Sequence, residues 1–311
     1  MKVGVVGAGF VGATAGFAMV MDNVPSELVF IDKDEAKAEG EAMDVSHAAP
    51  FSHPVRVSKG NYRDLANAAL VVIAAGANQK PGETRLDLAA KNAAIFRSIV
   101  PQIVENAPNA ILLVVTNPVD VLTHVAWEAS GLPRERVIGS GTTLDTARLR
   151  SLVGAKARVS PQNVHGYVLG EHGDSEFVAW SSMDIAGLAL RDYFTKRHIP
   201  WDEDTENALE EDVRRAAYEI IRRKEATYYG VATAISQIVE SILQDQQRVL
   251  TVSMSDGEVA YSLPRVLGGQ GVIATLDLNF NDREQQALEH SIGVIREAIE
   301  SVGPFEKDAA S

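Results

Sequence analysis

The chain has 311 residues, enough for about two domains at roughly 150 residues each. Hydrophobic residues make up 46% and charged residues 23%, a globular balance that excludes intrinsic disorder, collagen and a simple coiled coil. With 29 Lys and Arg against 42 Asp and Glu, the formal charge of −13 argues against general nucleic-acid or anionic-membrane binding, and the lack of cysteine excludes disulfides, thiolate catalysis and Cys-based metal sites and fits a reducing cytoplasm.

Residues 3–21 carry no charge, and Lys2 ahead of them with Ala13-Thr14-Ala15 within them imitates a secretory signal. Five glycines in those 19 residues argue against one, since glycine costs about 1 kcal/mol in a helix interior. A strand over 2–6, a tight turn and a buried helix over about 10–21 explain the same residues better. The turn holds Gly7, Gly9 and Gly12 in the pattern G-x-G-x-x-G, with Val11 inside it. Gly7 permits the turn, Gly9 lets backbone approach a pyrophosphate, and Gly12 lets the helix pack on the strand. Free N–H groups and the helix dipole then attract phosphate.

A second strand over 27–31 ends at Asp32, 20 residues beyond Gly12. That is the spacing of the acid that binds the adenosine ribose hydroxyls. A carboxylate there repels a 2′-phosphate and favours NAD over NADP; Lys33 beside it slightly weakens the preference. The competing reading of Asp32 is a turn or helix-cap aspartate.

Helix and strand signals keep alternating: a helix over 33–47, strands at 55–58 and 70–74, a loop at 76–85, and a long helix to about 106. A strand at 111–115, a helix over 119–130 and a strand at 137–139 follow. Apolar runs separated by helices predict an α/β fold with a doubly wound parallel sheet, whose ligands bind at the carboxyl ends of the strands. Asp32, Gly76, Asn117 and Ser140 fall at such ends. After about 141 the pattern changes to short strands at 164–169 and 176–180, helices over 203–223 and 227–243, strands at 249–254 and 259–264, and a last helix over 282–301. The expected boundaries are 1–141 for a nucleotide-binding domain and 142–311 for a mixed α+β substrate domain.

Three polar stretches stand out for chemistry: the loop Asn78-Gln79-Lys80-Pro81-Gly82-Glu83-Thr84-Arg85, the helix start Asp145-Thr146-Ala147-Arg148, and Gly170-Glu171-His172-Gly173-Asp174. With these the chain resembles the bacterial-type L-lactate dehydrogenases of the lactate/malate dehydrogenase family. The resemblance covers almost the whole chain, through GAGFVG, AAGANQKPGETRLDL, TNPVD, GSGTTLDTARLR, GEHGDSE and KEATYYG. It implies a Rossmann domain followed by a smaller substrate domain, and reversible reduction of pyruvate to L-lactate by NADH.

The residues themselves suit that chemistry. Reducing a 2-oxo acid needs a hydride donor, a proton donor, a carboxylate clamp and a cation on the carbonyl. His172 suits proton donation, because its unperturbed pKa lies near neutrality. Asp145 would orient the imidazole and stabilise its protonated form. Arg148, three residues along the same helix, has the planar fork for a bidentate grip on a carboxylate. By resemblance, Arg85 rides on a mobile loop and closes over the carbonyl. Taken singly, each has a plain alternative: a structural histidine, a solvated helix pair, a loop charge.

Gln79 decides substrate preference, again by resemblance. Malate dehydrogenases carry arginine at this position, six residues before the Arg85 position, to pair with the second carboxylate of oxaloacetate. A neutral Gln leaves that charge unpaired, at a cost of about 3–5 kcal/mol. Thr227 matches the residue walling the same pocket. Malate dehydrogenase is therefore the disfavoured alternative. An NAD-dependent glycosidase, whose metal site as a family uses cysteine, and a non-catalytic nucleotide-binding protein are weaker ones.

The resemblance also implies cofactor contacts. Lys37 and Tyr62 match adenosine-side positions, and Gly76 and Ala77 match backbone contacts to phosphate or ribose. Ser98, Val115, Thr116, Asn117 and Ser140 match positions along the nicotinamide half, and Asn117 also matches a substrate contact. Arg150 and His165 match a fructose 1,6-bisphosphate site formed between subunits in bacterial members; clustered cations suit a doubly phosphorylated effector. The vertebrate members' N-terminal arm has no counterpart ahead of the first strand. A homotetramer of bacterial type is expected, with a dimer as the alternative.

Overall fold

A strand buried on both faces reads as a continuous apolar run, and four runs of this kind build the centre of the molecule. The structure is a computed structural model that describes residues 1–77 and 85–303, without the side chain of Arg85. The first half consists of β1 (Lys2–Val6), α1 (Phe10–Met21), β2 (Glu27–Ile31), α2 (Glu35–Ala48), β3 (Arg56–Lys59), β4 (Ala68–Ile73), α3 (Arg85–Asn106), β5 (Ile111–Val114), α4 (Val119–Ser130) and β6 (Val137–Gly139). Its six strands lie parallel in the order β3-β2-β1-β4-β5-β6, the doubly wound arrangement that the alternation predicts.

The second half opens with α5 (Thr143–Ala157). Five two-residue strands follow: β7 (Val164–His165), β8 (Val168–Leu169), β9 (Phe177–Val178), β10 (Asp184–Ile185) and β11 (Leu188–Ala189). Then come α6 (Leu190–Lys196), α7 (Glu203–Lys224), α8 (Tyr229–Leu243), β12 (Arg248–Ser255), β13 (Ala260–Gly268), β14 (Gly271–Thr275) and α9 (Asp282–Val302). β12 pairs antiparallel with β6 through Ser253↔Gly139 and Met254↔Ile138, so β12, β13 and β14 extend the parallel sheet to nine strands. The sequence pattern predicts neither this junction, which joins segments distant in the chain, nor β14.

Both faces of the sheet are covered. On one, Ala15 and Met19 of α1 share a buried cluster with Ala232, Ile235, Val239 and Ile242 of α8. On the other, Phe96, Val100 and Ile103 of α3 pack with Leu122 and Val125 of α4. A third cluster, with Leu149 and Val153 of α5 against Phe194 of α6 and Leu209 and Val213 of α7, holds the second half together. α8 begins at Tyr229, not 227: Glu225 ends α7 with φ 68°, and Thr227 lies in the connection between the two helices. No helix among the described residues is long and apolar enough to cross a membrane.

Two glycines make the sharp turn after β1 feasible. Gly7 has φ 102°, and a Cβ there would lie 2.4 Å from the Ala75 nitrogen. A Cβ on Gly12 would lie 1.9 Å from the Gly7 carbonyl oxygen. Gly40, on the exposed side of α2, has nothing within 4 Å of the same atom. Gly12→Ala should therefore destabilise the fold by about 1–3 kcal/mol through overpacking. Gly40→Ala should stabilise it by up to about 1 kcal/mol. Urea melts of the two variants check the opposite signs.

Candidate active site

The carboxyl ends of β1, β2, β4, β5 and β6 converge on one edge of the sheet, where backbone groups and side chains form a cradle. Gly9 precedes α1 in an extended conformation and makes no side-chain cap bond, so the helix N-terminus is left to a ligand. A Cβ on Gly9 would meet nothing nearer than the Lys37 Nζ at 4.0 Å, which leaves room above the turn. Asp32 Oδ2 accepts from the Ala8 N–H at 2.8 Å and Oδ1 from the Asp34 N–H at 3.0 Å. The turn-aspartate reading of Asp32 is thus also true, and each oxygen keeps a lone pair for a hydroxyl. Burial raises the Tyr62 phenol, and the Asp32 charge adds to it. Open space over Gly9, an uncapped helix N-terminus and an acid at the end of β2 fit a dinucleotide with free ribose hydroxyls.

Next along the edge, Thr116 Oγ1 donates to the Ala75 carbonyl at 2.8 Å. Ala77 N–H donates to Asn92 Oδ1 at 2.8 Å, and Asn92 Nδ2 donates to the Asn117 carbonyl at 2.9 Å. Asn92 therefore ties the strand ends that carry Gly76, Ala77, Val115, Thr116 and Asn117 into one wall. Ser140 N–H donates to the Val114 carbonyl at 2.9 Å. Ser98 is exposed on α3, and the structure connects it to none of these groups.

The proton-transfer candidates meet at the same edge. Asp145 sits in the first turn of α5, where the helix dipole favours a carboxylate, and is 1% exposed. Its Oδ2 lies 2.6 Å from His172 Nδ1, and its Oδ1 accepts from Arg148 Nη1 at 2.5 Å. His172 lies on the loop joining β8 to β9, which four contacts pin. Gly170, at φ 85°, exchanges backbone hydrogen bonds with Ser262 of β13. Glu171 N–H donates to Ser291 Oγ of α9 at 2.6 Å, and His172 N–H donates to Asp120 Oδ2 of α4 at 2.7 Å. Behind the loop, Thr146 Oγ1 of α5 accepts from the Val168 N–H at 3.0 Å.

The electrostatics follow from this packing. Burial opposes the imidazolium, but the His172 side chain is still 27% exposed, and the charge and hydrogen bond of Asp145 outweigh the penalty. With help from Glu176 and Asp120, they push His172 up to about 9. Burial would raise Asp145, yet His172 and Arg148 hold it below its usual range. Burial pushes Asp120 up to about 6, moderated by Ser253 nearby and by the His172 N–H. Among the described residues, Asp120 Oδ1 and Ser253 Oγ are both buried without a partner in hydrogen-bond geometry.

Gln79 lies outside the described residues, as does the side chain of Arg85, which opens α3. Thr227 is half-buried between α7 and α8. Arg150 and His165 occupy neighbouring positions away from the cradle. Arg150 Nε donates to the Gly166 carbonyl at 3.1 Å and its guanidinium lies 5.5 Å from the Tyr167 ring, while His165 is exposed on β7.

The sequence reading omits three residues that this geometry brings forward: Asn92, Asp120 and Glu176. Asn92 interrupts the apolar stripe of α3, between Ala89 and Phe96, and that interruption is a usable signal. Asp120 and Glu176 stand inside the TNPVD and GEHGDSE motifs, where the neighbouring residues draw the eye.

Family models match nearly the full length: the lactate/malate dehydrogenase NAD-binding domain over residues 1–139, and the alpha/beta C-terminal domain of the same family over 142–306. The chain belongs to the lactate/malate dehydrogenase family. It is 52% identical over 305 residues to the L-lactate dehydrogenase of Deinococcus radiodurans, covering 97% of this chain and 100% of that one. It is 49% identical over 304 residues to that of Chloroherpeton thalassium, with the same coverage. Among solved structures, a lactate dehydrogenase from a Medee basin deep-sea metagenome superposes with a TM-score of 0.94 at 43% identity, covering 97% of this chain and 99% of that one. The minor L-lactate dehydrogenase of Enterococcus mundtii, in a ligand-bound form, gives 0.94 at 41% identity, covering 98% and 99%.

Because the His172 pKa is raised on folding, the couple's contribution to stability is full below the unfolded value of about 6.5 and is lost as pH rises through about 9. Wild type should therefore exceed His172→Gln in unfolding free energy by more at about pH 6 than at about pH 10. Urea unfolding at the two pH values checks the sign.

Proposed function

We propose that this chain is an NAD-dependent L-lactate dehydrogenase that interconverts pyruvate and L-lactate. The observation that carries the reading is the shared carboxylate of Asp145, with His172 on one oxygen and Arg148 on the other, beside the nucleotide cradle. The names of the Deinococcus and Chloroherpeton relatives support it. Residues 1–141 form the nucleotide-binding half and 142–311 the substrate half.

NADH, when bound, supplies the hydride to the carbonyl carbon. Gly7, Gly9, Val11 and Gly12 receive the pyrophosphate, and Asp32, Lys37 and Tyr62 surround the adenosine end. Gly76, Ala77, Ser98, Val115, Thr116, Asn117 and Ser140 line the remainder. Arg148 grips the substrate carboxylate with the guanidinium N–H groups that Asp145 does not use. Arg85 polarises the carbonyl, and Asn117 holds the substrate. His172 gives its Nε2 proton to the carbonyl oxygen and becomes a neutral imidazole, while its Nδ1–H keeps donating to Asp145 Oδ2. Gln79 and Thr227 shape a neutral pocket around the methyl group.

The enzyme acts in the cytoplasm as a homotetramer. Fructose 1,6-bisphosphate binds between subunits at Arg150 and His165 and shifts the equilibrium between tetramer states. The chain's −13 charge supports a protein without nucleic-acid or anionic-membrane partners.

Steady-state assays with NADH test these assignments. His172→Asn should lower turnover of pyruvate by about 10²–10⁴-fold and leave NADH binding intact; retained turnover refutes the proton-donor role. Gln79→Arg should move the preference toward oxaloacetate by about two to four powers of ten, and an unchanged ratio refutes the pocket argument. Adding the bisphosphate should lower the pyruvate concentration needed for half-saturation. Superimposable curves exclude activation.

A further inference from the structure

We propose that Glu176 is a positioning residue of the proton-transfer couple, a second carboxylate behind Asp145 whose negative charge helps to keep the proton on His172. The proposal rests on the reading of His172 as proton donor. One oxygen of Asp145, one oxygen of Glu176 and a ring nitrogen of His172 all lie within 4.8 Å of one another. Glu176 is 6% exposed. Its backbone is held at both polar groups, the N–H by the Gly173 carbonyl and the carbonyl by Arg214 Nη2 at 3.3 Å. Among the described residues its carboxylate has no hydrogen bond or ion pair, and neither oxygen is among the atoms sealed from solvent without a partner.

A carboxylate buried for the sake of stability has partners, because an uncompensated one is costly. Glu176 instead faces a charged cluster drawn from several elements. Asp145 and Arg148 project from α5, Arg214 from α7 and His172 from the β8–β9 loop. Asp120 of α4 acts on the same imidazole, and Arg265 of β13 carries a buried charge close enough to feel Asp120.

The balance among these groups gives Glu176 two states. Burial raises it most and the Asp145 charge adds to that; His172, Arg148 and Arg214 pull it back, and it settles at about 8. Below that value Glu176 is neutral and does not repel an anionic substrate approaching Arg148. Above it, Glu176 ionises while His172, at about 9, still holds its proton. The new charge then opposes release of that proton and extends proton donation to higher pH. No bond changes at Glu176 in the reaction.

A titration of ring-labelled histidine by NMR tests this without any turnover. The signal lost in His172→Gln identifies His172 among the seven histidines. Glu176→Gln should lower the His172 midpoint by about 1 pH unit, the effect of one charge at this range. Glu176→Asp, which keeps the charge, should restore most of the shift. An unmoved midpoint in Glu176→Gln overturns the proposal, as does an equal shift in both variants, which would mark a packing effect. If Glu176→Gln fails to fold, the wild type decides. Its His172 signal should move in a smaller first step as Glu176 ionises near pH 8, and a single-step titration overturns the assignment. In the pyruvate assay, Glu176→Gln should lower kcat/KM about tenfold on the alkaline side and leave the neutral plateau in place. Absence of any pyruvate reduction in wild type sinks the lactate dehydrogenase reading alone, since the NMR titration still judges Glu176.

Discussion

The bond between Asp145 and His172 is the constraint on which the rest of the site depends. At 2.6 Å, with the carboxylate 1% exposed, it joins two groups that water would otherwise separate. A buried carboxylate without a cation would be protonated, and a partly buried imidazole without an anion would be neutral. Each keeps the other charged. The imidazole therefore keeps its proton at neutral pH.

Holding that bond requires the whole sheet. Asp145 comes from α5, which starts just after the carboxyl end of β6. His172 comes from a loop beyond β8, more than twenty residues later. The loop is fastened to β13 through Ser262, to α9 through Ser291 and to α4 through Asp120. β13 reaches the loop because β12 pairs with β6 and brings the C-terminal strands onto the edge of the parallel sheet. The junction that joins the halves of the chain also sets the distance from the imidazole to the nucleotide cradle.

Much of this was legible in the sequence. The glycine turn, the acid at the end of β2 and the alternation of helix and strand have short-range signatures that the structure repeats. Asp145, Arg148 and His172 stand in motifs with strong family resemblance, and the structure brings all three together. The rest depends on contacts distant in sequence. Nothing local marks β14 as a strand or β12 as the partner of β6. Nothing in GEHGDSE says which of its acids faces the imidazole: Glu171 turns to Ser175 at 2.5 Å, while Glu176 turns to the active site. Thr227 sits outside α8 because Glu225 takes up a left-handed conformation, which a helical pattern does not foretell.

The sharing of Asp145 has a further consequence. Because one oxygen serves His172 and the other Arg148, the imidazole and the guanidinium are fixed relative to each other by a single rigid group on a helix. On the proposed reading, a substrate gripped by Arg148 would have its carbonyl at a set distance from the imidazole, so orientation would come from the same atoms that set the charge. Removing Asp145 would therefore disturb binding and proton transfer together. Glu176 lies within 4.8 Å of the ring, and Asp120 accepts from the backbone N–H of the same residue. They act on the imidazole through the field and through the backbone. On the proposed roles, substitutions at Glu176 would change the pH range of the reaction without changing what Arg148 binds.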